Sequence, residues 1–259
     1  MIIRPIIPSL LQKVIKGSVI MDTIKIKKGN VKMIAHRGLS GLETENTCAA
    51  FVAAGNRSYA GIETDIHTNP DGCFVIIHDK DTKRLLGVSH NVEQEPMSKL
   101  RSIVLPDIDG SKVRTDLHIP TLEEYLSICR KYSKIAVLEI KGLFSPESLE
   151  NVVSIVKSYK LLENTVFISF DLRNLTTLKE KHPKLKMQYL TDKWDDSLPQ
   201  KLKQLSMGLD IDFHQLTSER VKACHNNGVE VNCWTVSNPS DGERLCSWGV
   251  DYITSNILE

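Results

Sequence analysis

Eight short β-rich runs, separated by longer helix-patterned segments, set the limits on what this chain can fold into. The runs are VKMIAHR, GIETDIHT, IAVLEIKG, TVFISF, KMQYLTD, MGLDIDF, VEVNCWTV and VDYITSN. Between them lie NTCAAFVAAG, TLEEYLSICRKY, SPESLENVVSIVKSYK, DLRNLTTLKEKH, LPQKLKQL, TSERVKACHNNG and DGERLCSW. Parallel neighbours need a crossover connection, and a helix is the usual one, so this order implies a parallel sheet. Eight such strands with intervening helices within 259 residues predict an α/β fold, a closed (β/α)8 TIM barrel. The open doubly wound sheet is disfavoured, because neither GxGxxG nor GxxxxGK[ST] occurs. Helix boundaries are marked by Ser145-Pro146 followed by Glu147 and Glu150, by Thr217-Ser218 followed by Glu219, and by Gly228 as a stop.

Two stretches depart from the rhythm. Residues 1–30 form an N-terminal extension ahead of a barrel spanning 31–259. Its apolar run is interrupted by Arg4, Pro5, Pro8, Lys13 and Lys16, so neither a signal core nor a transmembrane segment is expected there. Ser9 to Ile15 reads as a short amphipathic helix. The extension is expected to pack on the barrel, filling part of the gap left where no helix follows the eighth strand; a membrane-touching anchor is the second reading, and Met21 is an alternative start. Residues 81–118 are polar and turn-rich, and predict a small insertion over the barrel mouth, after a hairpin on the second strand.

Composition narrows the function. A net charge of +1 gives no electrostatic case for a nucleic-acid partner. The six cysteines form no CxxC pair and no zinc spacing, so they read as reduced structural thiols, which suits the cytoplasm.

The chemistry gathers at strand ends. Glu63 and Asp65 are two apart in GIETDIH, so their side chains share one face, while Ile62 and Ile66 need the opposite, helix-facing side. Two carboxylates inside a barrel repel unless a cation joins them. Glu139, in VLEIK, completes an all-oxygen set, which favours Mg2+ or Ca2+ over zinc. The NPDG turn predicts a hairpin in which Asn69 faces Gly72, and that register sets His78 across from Glu63. His36 ends the first strand, which neighbours the second in a barrel. Arg37 and Lys141 supply positive charge for an anion. Two imidazoles, a hard cation and two fixed cations make a phosphoryl-transfer site.

AHRG, ENT, ETD, HD, IPTLEEYL, LEIK, SFD, NCWTV and YITSN occur in this order from Val31 to Asn256. The ordered set resembles the glycerophosphodiester phosphodiesterase family. The resemblance implies metal-dependent hydrolysis of glycerophosphodiesters to an alcohol and glycerol 3-phosphate. It implies His36 and His78 as the acid–base pair, Glu63, Asp65 and Glu139 as metal ligands, and Arg37 and Lys141 as phosphate contacts. It further implies a supporting place for Glu45 of ENT beside Arg37, and for Trp234 a contact with the apolar side of the glycerol or alcohol. By sequence alone a core role for Trp234 is equally open, and Phe170 carries no assignment. Thr44 stands where the family has proline before ENT, so the loop is expected to be less rigid. A lipid phosphodiesterase of lysophospholipid or phosphoinositide type, and a noncatalytic anion-binding barrel, are the competing readings.

Overall fold

A computed structural model describes residues 21–259 in full. Ahead of them it describes only the backbone of Lys13–Ile15 and Ser18–Ile20, paired antiparallel. The helix expected over Ser9 to Ile15 lies mostly outside the described residues, and its last three residues are extended instead.

The barrel strands are β1 (Lys32–Ala35), β2 (Gly61–Thr68), β4 (Ile135–Ile140), β5 (Thr165–Ser169), β6 (Lys186–Thr191), β7 (Gly208–Asp212), β8 (Val231–Trp234) and β9 (Tyr252–Ser255). All eight pair in parallel, and β9 and β2 both pair with β1, which closes the sheet. The expected (β/α)8 architecture is therefore present. Strand alternation gives the barrel two cores. Ile34, Val137, Val166, Ile168, Leu190 and Tyr252 fill its interior. Ile62, Ile66, Leu138, Leu209 and Cys233 face outward into the helix layer. The helix Pro146–Ser158 shows the matching pattern: Leu149, Val152, Val153 and Val156 are its buried stripe. Ser145 caps its start, and Thr217 caps the helix Ser218–Asn226.

Part of the N-terminal segment packs in the outer layer of the barrel, beside the residues that follow β9. Ile24 pairs with Leu258, and Ile24 and Ile26 pack against the helix-layer core. Apolar side chains thus cover the gap left beside the final strand.

The strand β3 (Phe74–Ile76) folds back antiparallel on β2, as the hairpin reading expected, but its register differs by one residue. Ile66 faces Ile76, and the Asn69 amide donates to the Cys73 carbonyl, so Asn69 faces Cys73 rather than Gly72. The reason lies in the turn. The Asn69 carboxamide oxygen accepts from both the Asp71 and Cys73 amides, and Gly72 takes φ +74°, which stretches the loop by one residue. Pairing ends at Ile77, whose amide donates to the Asp65 carbonyl, so His78 lies beyond the ladder.

Residues 81–118 carry two short helices, α2 (Lys83–Leu86) and α3 (Met97–Arg101). Val92, Leu100, Leu105, Leu117 and Ile119 cluster with Val75 and Ile77 of the hairpin, giving the insertion its own small core. It rests on the loop after β1: the Thr44 hydroxyl donates to the Pro106 carbonyl at 2.7 Å, and Arg114 pairs with Glu43 at 2.6 Å. The loop expected to be loose at Thr44 is therefore tied down by that same residue.

Candidate active site

The C-terminal ends of β1, β2 and β4 converge on three carboxylates. Glu63, Asp65 and Glu139 are all buried, and each offers an oxygen within 4.8 Å of the others. Asp65 and Glu139 are direct neighbours in the β2–β4 register, which explains why two strands suffice to build the cluster. Burial, then the charges of its two acidic neighbours, pushes Glu63 well above the usual carboxylate range. Burial and Asp65 likewise push Glu139 up to about 7. Burial opposes ionisation of Asp65 too, but Lys141, Arg37, His78 and a hydrogen bond from Asn46 outweigh it and hold Asp65 low.

Asp65 is the centre of the array. Its Oδ2 accepts from Asn46 Nδ2 at 2.8 Å and lies 3.5 Å from Arg37 Nε. Its Oδ1 is buried, has no hydrogen-bond partner, and has Lys141 Nζ at 3.4 Å. Two acids with raised pKa around an orphaned carboxylate oxygen fit a hard divalent cation, to which each could donate an oxygen. The donor set thus suits the expected metal.

Cations and imidazoles ring this cluster. Arg37 sits at φ 54°, a left-handed conformation uncommon outside glycine and often found where function requires strain. Its amide donates to Glu63 Oε2 at 2.7 Å and its Nη1 to Glu45 Oε1 at 2.9 Å. Lys141 Nζ pairs with Glu139 at 2.8 Å. The His36 ring is held at Nδ1 by Asn256 Oδ1, 2.7 Å away. Burial, reinforced by Arg37, lowers its pKa to about 4. His78 reaches the same region despite the shifted hairpin register, because the chain leaves the ladder at Ile77. Burial lowers its pKa, and Asp65, Arg37 and Lys141 all act on its ring. Its Nδ1 lies 2.7 Å from Asp79 Oδ1.

Trp234 ends β8 on the inner face, above Asn232. It is partly buried and meets Phe170 edge-on at 5.9 Å, leaving its indole Nε1 without a partner. Phe170 is 47% exposed, so the pair presents an aromatic edge at the rim rather than a wholly internal contact.

Five residues at this rim went unassigned in the sequence. Asn46, Asp79 and Asn256 lie inside the quoted ENT, HD and YITSN fragments, so position was a signal, but their bonding partners were not readable. Arg84 comes from the insertion and gave no signal. Asp210 on β7 is a buried, unpaired carboxyl near Glu139, pushed well above its usual range by burial and then by that neighbour.

A closed barrel with a buried cation-ready triad and paired imidazoles at its strand ends defines a phosphodiester-hydrolase architecture. The sequence model of the glycerophosphoryl diester phosphodiesterase family matches residues 36–258, and the chain belongs to that family. A glycerophosphodiester phosphodiesterase from Caldanaerobacter subterraneus subsp. tengcongensis is 29% identical over 234 residues, which cover 88% of this chain and 94% of that protein. A solved Oleispira antarctica phosphodiesterase, in complex with the product sn-glycerol-3-phosphate, superposes with a TM-score of 0.80 at 25% identity. That match covers 90% of this chain and 95% of the other. A glycerophosphodiester phosphodiesterase structure from Parabacteroides distasonis has a TM-score of 0.74 at 29% identity, covering 88% and 94% respectively.

Proposed function

We propose that this protein hydrolyses glycerophosphodiesters to an alcohol and glycerol 3-phosphate by two-histidine acid–base catalysis. The observation that carries this reading is that His36 and His78 both feel the charge of Asp65 in the carboxylate cluster, with Arg37 and Lys141 beside it. Glu63, Asp65 and Glu139 would hold Mg2+ or Ca2+, which when bound supplies a fixed positive charge to the phosphoryl oxygens. Arg37 and Lys141 bind and orient the phosphate, and Trp234 covers the apolar side of the glycerol or the alcohol.

Each histidine has one nitrogen committed. Asn256 accepts from His36 Nδ1–H, leaving Nε2 as a free lone pair. A pKa of about 4 keeps that nitrogen unprotonated at neutral pH, which suits a base. His36 takes the proton of the attacking hydroxyl, either water or the substrate's glycerol 2-hydroxyl, the latter passing through a cyclic phosphate. Asp79 accepts from His78 Nδ1–H, so Nε2 is the position from which His78 gives a proton to the departing alkoxide. The incoming diester carries a negative charge, which favours the protonated ring against the effect of burial. One proton enters at His36 and one leaves at His78, so the pair must exchange them between turnovers.

Among the described residues no helix is long and apolar enough to cross a membrane. All six cysteines are free, which supports a cytoplasmic setting. Incubation with a panel of glycerophosphodiesters and lysophospholipids, with Mg2+ and Ca2+ varied, tests the proposal. Release of glycerol 3-phosphate is expected only with a divalent cation. Hydrolysis confined to lysophospholipids, or undiminished by chelator, would overturn it.

A further inference from the structure

We propose that Arg84, contributed by the insertion, is a positioning residue that locks the proton donor His78 and the phosphate-binding Arg37 into one array. The proposal rests on the acid–base reading above. Arg84 Nε donates to Asp79 Oδ2 at 2.5 Å, while Nη1 and Nη2 donate to the two Glu45 oxygens at 2.9 and 2.7 Å. Both carboxylates are shared with the site. Asp79 Oδ1 takes His78 Nδ1 at 2.7 Å, and Glu45 Oε1 takes Arg37 Nη1 at 2.9 Å. One guanidinium therefore joins two catalytic groups through two acids, and no other described cation touches both of those acids.

The residue type fits the task. A guanidinium is planar and presents donors along two edges at fixed angles, so it can fix two carboxylates relative to each other; an ammonium is a point charge and cannot. Its backbone is also anchored. Thr82 is fully buried, donates to the Val88 carbonyl at 2.7 Å and accepts from the His90 amide at 3.1 Å. The Leu86 amide returns to the Thr82 carbonyl, which closes the single turn that carries Arg84.

Exposure separates a positioning role from a stabilising one. The Arg84 side chain is 46% exposed, and ion pairs of that kind add little to fold stability. Loss of the guanidinium should therefore leave the barrel intact while freeing the His78 ring and the Arg37 head. A misplacement of about 1 Å in a reacting group can cost on the order of 100-fold in rate.

The test compares kcat, KM and thermal midpoint for the wild-type protein, Arg84→Ala, Arg84→Lys, Asp79→Asn, the Arg84→Ala/Asp79→Asn double variant and His78→Ala, with saturating Mg2+ and one glycerophosphodiester. Arg84→Ala should lower kcat by about 10- to 100-fold with a nearly unchanged midpoint. Arg84→Lys should recover little of the loss although it keeps the charge, and so carries the test should the alanine variant misfold. The double variant should be hardly slower than Arg84→Ala alone, because both changes release the same imidazole. The 15N spectrum of the His78 ring should show its Nδ1–H tautomer depopulated in Arg84→Ala. Wild-type kcat and KM in Arg84→Ala beside an inactive His78→Ala, or multiplicative losses in the double variant, would overturn the proposal while leaving the acid–base reading standing. Normal turnover by His78→Ala would overturn both.

Discussion

Protons and a divalent cation would compete for the same oxygens at Glu63 and Glu139. With Glu139 raised to about 7 and Glu63 raised as well, the ion-free rim holds protons that a cation must expel. Metal affinity should therefore weaken as pH falls below about 7, by roughly tenfold per pH unit for each proton displaced. Calorimetric titration with Mg2+ or Ca2+ at pH 6 and pH 8, in buffers of differing ionisation enthalpy, reads both the affinity and the protons released. Equal affinity and no proton release would contradict the account. His36 makes a second residue-scale prediction. His36→Ala should lower kcat by about two orders of magnitude or more while leaving the carboxylates able to bind the cation. A variant with unchanged kcat would remove His36 from the mechanism. The placement of these carboxylates and of Lys141 was legible in the sequence, because the two-residue spacing of Glu63 and Asp65, and of Glu139 and Lys141, forces each pair onto one strand face. The pKa values were not legible, since they depend on burial and on neighbours from other strands.

At the scale of elements, the loop after β1 does the most to shape the rim. Gly38 takes φ +75°, and a Cβ there would lie 2.7 Å from the Ala50 backbone in the helix α1 (Cys48–Gly55). Gly38→Ala should therefore destabilise the fold by about 1–3 kcal/mol from backbone strain and displace Arg37 together with His36. Thermal unfolding and kcat should fall together; a variant that melts and turns over like the wild type would show that the loop tolerates the shift. Thr44→Val removes only the hydroxyl bond to Pro106 and should cost about 1 kcal/mol with a smaller effect on turnover. The sequence-based expectations divide along the same line. Strands and helices were readable because apolar periodicity and caps are local signals. The hairpin register was missed by one residue, because the Asn69 side chain chose between two turn lengths. Arg84 and Pro106 were unreadable, because where an irregular insertion lands depends on its own small core and not on any periodic pattern.

The whole molecule is a closed barrel that buries three carboxylates at one rim. That burial makes stability a reporter of the site. Glu63 and Glu139 are raised above their unfolded values, so the stability they contribute is complete below about pH 4.5 and is lost as pH rises, for Glu139 toward about 7. Asp65 is depressed, so its contribution is fully present across the neutral range and is lost only as pH falls below about 4. The ion-free protein should thus lose thermal stability from pH 5 to pH 8 relative to a Glu63→Gln/Glu139→Gln variant, and Mg2+ or Ca2+ should restore more at pH 8. A parallel pH dependence in protein and variant would contradict this linkage. The measurement that tests the central claim most directly is glycerol 3-phosphate release by wild-type protein and Glu63→Ala, each with chelator and then with Mg2+ or Ca2+ restored. The account predicts turnover by the wild type that chelator abolishes and the cation recovers, and almost none from a folded Glu63→Ala. Undiminished release in chelator, or near-normal release from Glu63→Ala, would contradict it.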